Sequence, residues 1–161
     1  MQKIDSLRDA ILKALPELRR DRDRIKIWVE RGSAKATQTP DQSFAFGFQL
    51  NVLIVEMRSD IAVLAHAVFH WLRANQPELI VPGAQGFTFD ADYLDNRCAD
   101  VELQLQLDQA VKVTKNAEGK FDLDYRAEPD PLFDDALAIV GDDAVTLTGF
   151  EADEDLPPWN P

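Results

Sequence analysis

Apolar residues recur three or four positions apart at the start of the chain, at Leu7, Ile11, Leu15 and Leu18. That spacing stacks side chains on one helix face and predicts a helix over residues 6–15. Ser6 and Asp9 read as its capping pair, and Pro16 as its stop or kink. The run Arg19-Arg20-Asp21-Arg22-Asp23-Arg24 reads as a charged connection. From Ile25 the period falls to two. Ile25, Ile27 and Val29 alternate with Lys26, Trp28 and Glu30, which predicts a strand. Gly32-Ser33 predicts a turn, and Thr39-Pro40-Asp41-Gln42 a loop. The clearest alternation runs over residues 43–57, with Phe44, Phe46, Phe48, Leu50, Val52 and Ile54 on one face. Residues 52–55 are apolar on both faces, which predicts a central strand covered on both sides there.

Helical spacing returns at Ile61, Leu64, Ala65, Val68, Trp71 and Leu72. It predicts a second helix over residues 60–74, capped by Ser59 or Asp60. Two further strands follow. Phe87, Phe89, Ala91 and Tyr93 alternate with Thr88, Asp90 and Asp92; Val101, Leu103, Leu105 and Leu107 alternate with Glu102, Gln104, Gln106 and Asp108. Residues 94–98 join them as a hairpin. A second hairpin turns at residues 116–119 into a strand with Phe121, Leu123 and Tyr125 on one face. Past Glu128 the pattern decays, and the segment 129–161 reads as an acidic extension, irregular or disordered. No internal repeat and no glycine-rich phosphate loop is read.

The order helix, strands, helix, strands predicts an α+β domain over residues 1–128. Its mainly antiparallel sheet would carry two helices packed on one face. The opposite face would present Gln49, Asn51, Asp90, Asp92, Glu102, Gln104, Gln106 and Asp108.

Charge sharpens this picture. The chain holds 17 Lys and Arg against 29 Asp and Glu, a formal charge of −12. Residues 1–35 carry a net +4, residues 36–117 a net −5 and residues 118–161 a net −11. Such a surface repels free duplex nucleic acid, and no sequence-specific nucleic-acid binding is expected. A molecule basic at one end and acidic at the other suits self-assembly. The first fifteen residues are too charged for a signal peptide. No apolar run approaches the roughly 20 residues of a membrane helix. The single cysteine, Cys98, leaves no internal disulfide and fits a reducing compartment.

The candidate chemistry is thin. His66 and His70 are the only histidines, and four residues apart on a helix they could share a metal. A zinc site needs a third ligand, and a helix-borne protease motif needs Glu after the first histidine, where this chain has Ala67. A metal-dependent hydrolase on these histidines is the distant alternative; the far side of an ordinary helix is the plainer reading. Arg19, Arg20, Arg22 and Arg24 could clamp phosphates or form a solvated loop. Asp90 and Asp92 could be paired acids or the polar side of a strand. Cys98 is read as an incidental thiol rather than a nucleophile. Trp28 on a polar face marks a contact surface, and Trp159 could anchor a docking tail. No catalytic residue and no cofactor is expected; the chain reads as a building block.

The stretches SLRDAILKALPEL, SFAFGFQLNVLIVEM, WLRANQPEL and GFTFDADYLDNRCADVELQLQLDQAVKV resemble, in the same order, the tail completion protein R family of contractile-tailed temperate phages and their prophage relatives. The resemblance covers roughly residues 5–128. It implies a virion-assembly role at the head-proximal end of the tail, reached in the host cytoplasm. Element order is similar to the small α+β tail terminators of long-tailed phages, which form hexameric rings. Implied partners are further copies of the chain, the tail tube protein and the head-tail connector, with no membrane. The alternative is an assembly factor that forms no ring. Candidate interface or channel-lining residues are Trp28, Asp90, Asp92, Glu102, Asp108, the four arginines and Trp159.

Overall fold

The computed structural model describes residues 1–36, 40, 42–94 and 97–128. The elements are α1 (Gln2–Ala14), α2 (Pro16–Arg20), β1 (Ile25–Ala36), β2 (Phe44–Met57), α3 (Ile61–Asn75), β3 (Thr88–Tyr93), β4 (Ala99–Lys115) and β5 (Phe121–Tyr125). Single 3-10 turns occupy Arg22–Arg24 and Pro77–Leu79. The α+β class and its element order are those the pattern predicts. The expected extension over 129–161, the residues Thr39 and Asp41 of the expected loop, and Trp159 lie outside the described residues.

The first helix begins earlier than its polar signals suggest. Met1 is its N-cap, and Ser6 sits inside it. The Ser6 hydroxyl donates to the Lys3 carbonyl at 3.2 Å and accepts from Trp71 Nε1 at 2.9 Å, so it ties α1 to α3 rather than capping α1. Leu15 is extended, and Pro16 opens α2, where its missing N–H costs nothing. Asp60 caps α3 by accepting from the Ala62 N–H at 2.7 Å.

The sheet runs β1-β2-β4-β3, antiparallel throughout, with β5 added to β4. Phe48, Leu50, Val52 and Ile54 of β2 pair with Leu107, Leu105, Leu103 and Val101 of β4, and all are buried. Leu7, Ile11, Leu64, Val68 and Leu72 of α1 and α3 join them in one core. Strand β2 is central, as predicted, but both helices contribute to this one core. On the other face Leu53 and Val55 stay half-buried, so the expected double cover is absent among the described residues.

Two bulges bend the strands. The predicted turn at Gly32-Ser33 is instead a bulge within β1. Glu30 pairs with Gln49 and Ser33 with Gly47, so one extra residue is accommodated, with Arg31 at φ 49°. The bulge swaps β1's faces, so Ala34 and Ala36 continue the side begun by Ile25 and Ile27. The second bulge, between Ile54 and Met57, places Glu56 at φ 51°.

Glu17 fastens the loop between that bulge and α3. Its carboxylate accepts from the Arg58 N–H at 3.2 Å, and from the Ser59 N–H and hydroxyl, both at 2.9 Å. Burial alone would raise this carboxyl, but the hydrogen bonds from its own backbone N–H, from Ser59 and from Arg58 together outweigh it and hold the group below its ordinary value. A lowered carboxyl adds stability above its unfolded value, and the contribution disappears as pH falls through the folded value. Glu17→Ala is expected to cost about 2 kcal/mol near neutral pH, the size of a lost charged hydrogen-bond set. Urea melts at about pH 7 and about pH 3 should show the gap to wild type closing in acid; a gap that stays constant would refute the linkage.

Candidate assembly interface

The face away from the helices is the predicted polar one. Its rows read directly from the strand register: Lys26–Leu53–Glu102–Asp90, Trp28–Asn51–Gln104–Thr88 and Glu30–Gln49–Gln106. Amides fill the centre, and Gln49 Nε2 donates to Asn51 Oδ1 at 3.1 Å. Asn51 is only 1% exposed although no described element covers it. Trp28 is half open, and its Nε1 donates to Glu30 Oε1 at 3.2 Å.

The acids do not share one environment. Asp90 lies opposite Glu102 and Asp92 opposite Asp100, so like charges face each other. Asp100 Oδ1 also accepts the Glu56 N–H of the second bulge at 2.7 Å. Asp108 lies at the strand edge, with its Oδ1 3.9 Å from Lys3 Nζ.

Lys3 belongs to a polar cluster at the point where β4 leaves the core. Its Nζ donates to Gln76 Oε1 at 2.8 Å, its N–H donates to Gln109 Oε1 at 3.1 Å, and Glu128 Oε2 lies 3.9 Å from Nζ. Gln76 Oε1 also accepts the Asp108 N–H, and its amide donates to Glu78. Burial pushes the Lys3 ammonium below its ordinary range, against Asp108, Glu128 and Glu78, which favour the charge. No sequence pattern singles out Lys3, because a lysine at the start of an amphipathic helix reads as solvated.

Two of the four candidate arginines are committed to the chain's own backbone. Arg19 donates to the carbonyls of Leu12 and Lys13 at the C-terminus of α1, at 3.3 and 2.6 Å. Arg24 donates to the carbonyls of Val55 and Glu56, and its guanidinium lies 3.6 Å from Glu56 Oε2. Arg20 and Arg22 are exposed. His66 and His70 are exposed on α3 with rings stacked 6.3 Å apart. Among the described residues no group of three or more metal-ligating side chains is found, and no helix is long and apolar enough to cross a membrane. Cys98 is half-buried.

Beyond the core, β4 continues with β5 as an arm. Its turn is self-contained: Asn116 Oδ1 accepts from the Glu118 and Lys120 N–H groups, at 3.1 and 2.9 Å. On the arm's apolar face Phe121 and Leu123 are 57% and 63% exposed. Strands β3 and β5 pair the same edge of β4, opposite β2, because Val111 pairs with both Phe44 and Tyr125. The two carry nearly the same pentapeptide, Phe89-Asp90-Ala91-Asp92-Tyr93 and Phe121-Asp122-Leu123-Asp124-Tyr125. The chain therefore does hold a short internal repeat, contrary to the reading of the sequence. The signal was the shared alternation of aromatic and aspartate.

The family model described as P2 phage tail completion protein R (GpR) matches residues 1–129. Tail completion protein R of Escherichia phage P2 is 32% identical over 134 residues, which cover 81% of this chain and 86% of that protein. No solved structure matches. With an antiparallel sheet and three helices among the described residues where the pattern predicts two, a polar sheet face and a family match that spans all the described residues, the chain belongs to the phage tail completion protein R family, structural proteins of tail assembly.

Proposed function

We propose that the protein completes the phage tail at its head-proximal end, as a closed ring of identical copies that rests on the tail tube and meets the head-tail connector. Assembly would take place in the host cytoplasm, and the ring would remain part of the virion tail. Residues 1–128 would be the assembling domain, and 129–161 an acidic extension largely beyond the matched span. The observation that carries this reading is the β4–β5 arm. A stable monomer has no use for Phe121 and Leu123 held open on a long hairpin, whereas a neighbouring copy would bury them. A contact between two different patches closes into a ring when its rotation closes.

Deleting residues 116–120 shortens the arm and leaves the core intact. The variant is expected to fold like wild type by circular dichroism, yet to associate at least about tenfold more weakly by light scattering with tail tube protein present. Normal assembly by the folded variant would overturn the reading of the arm. A wild-type chain that stays monomeric at every concentration, with and without tube protein, would overturn the ring.

A further inference from the structure

The two outer edges of the sheet are β1 on one side and the β3/β5 pair on the other. Each repeat puts its rings on the apolar face and its aspartates on the polar face. Phe89, Tyr93, Phe121, Leu123 and Tyr125 are 52%, 71%, 57%, 63% and 37% exposed. The midpoints of the repeats, opposite Val101 and Val113, are twelve residues apart along β4, or about 40 Å. The even number keeps both on the same face.

The opposite edge answers the β3 repeat row by row. The row that ends in Asp90 begins with Lys26, and the row that ends in Phe89 begins with Ile27. The row that ends in Tyr125 begins with Ala36, the last residue of β1, so β1 reaches one row of β5. Between the repeats, β4 residues 105–110 pair with neither β3 nor β5, and the β1 bulge falls at that level. Part of this gap is closed by the chain itself, since Gln76 takes the Asp108 N–H and Arg126 donates to the Ala110 carbonyl. Among the described residues Asp90 lies opposite Glu102 across the strand, an unfavourable pairing that a lysine from outside would relieve.

We propose that β3, continued by the Tyr125 end of β5, forms a docking edge whose occupant is the β1 edge of a second copy of this chain. β1 runs parallel to β4 and so antiparallel to β3 and β5. A neighbour in the same orientation can therefore extend the sheet by antiparallel pairing of residues 25–28 with 88–91, and meets β5 at the Tyr125 row. Lys26 meets Asp90 on the polar face, and Ile27 meets Phe89 on the apolar face. Lys26 and a bulge on β1 discourage indiscriminate edge pairing and select an acidic partner strand.

This inference rests on the ring reading and refines it, and charge reversal separates the two. Lys26→Glu alone and Asp90→Lys alone are each expected to weaken self-association of the full chain about tenfold or more. The double variant, which restores one opposite pair at every contact, is expected to regain most of the loss. Light scattering with tail tube protein reads association, and circular dichroism verifies folding. A wild type that assembles while folded single variants assemble equally well overturns the docking edge and leaves the ring standing. A folded double variant no better than the singles does the same. Asp90→Cys in a Cys98→Ser background that cross-links copy to copy would mean a two-fold contact and would also overturn it.

Discussion

Replacing Phe48 with alanine is expected to remove about 3–5 kcal/mol of stability, a large part of the 5–15 kcal/mol a domain holds. Phe48 is 1% exposed and pairs with Leu107 on the face the helices cover. Deleting the ring loses its transfer energy and leaves a cavity, because β2 and β4 cannot close up while both remain hydrogen-bonded in register. Urea denaturation should show a lower midpoint with an unchanged slope. The control is Phe121→Ala on the open arm, expected to change stability by no more than about 0.5 kcal/mol. Similar losses at the two sites would mean that the arm is packed in the free chain. A loss below about 1 kcal/mol at Phe48 would mean that the helices do not press on this face.

Most of the architecture was legible because one rule governs it. An alternating strand with one dry face must have its apolar residues on that face, so 43–57 and 99–113 could be read as strands and assigned sides from the pattern alone. The helix stripe of α3 followed in the same way. Failures occurred where two signals look alike in one dimension. Gly32-Ser33 has turn composition, yet β1 pairs with β2 on both sides of it, so the chain bulges and continues. Ser6 resembles a cap, but the apolar spacing extends back to the buried Lys3 and the helix starts before it. Arg19 and Arg24 read as free charge because their acceptors, carbonyls at a helix end and at a bulge, exist only after folding. The repeat in β3 and β5 escaped for a related reason. Five residues of similar pattern mean little until topology sets them on one edge of one strand.

The other large effect concerns DNA passage. In a ring extended edge to edge the sheets would form the wall, and with α1 and α3 outward the polar face would turn to the axis. Of the acids first considered for a lining, Asp90 stands at the docking edge, Asp108 is engaged by Lys3, and Asp92 faces Asp100 beside the bulge. The middle of the lining is then Glu102, Gln104 and Gln106 of β4, whose rows meet Leu53, Asn51 and Gln49. These side chains offer a passing duplex no cation, so no counterions are released and the phosphates find nothing to hold. Changing Gln104 and Gln106 to lysine adds a charge of +2 per copy, multiplied around the ring, while leaving Lys26, Asp90 and the Glu102 opposite Asp90 untouched. Rings and tails of normal length are expected, with DNA delivery reduced about tenfold or more in low salt and partly recovered as salt screens the phosphate contacts. Tails counted by electron microscopy and infectious titre measured over a salt series separate assembly from passage. Folded, assembled double-lysine tails that deliver DNA at the normal rate would place this face on the outer wall.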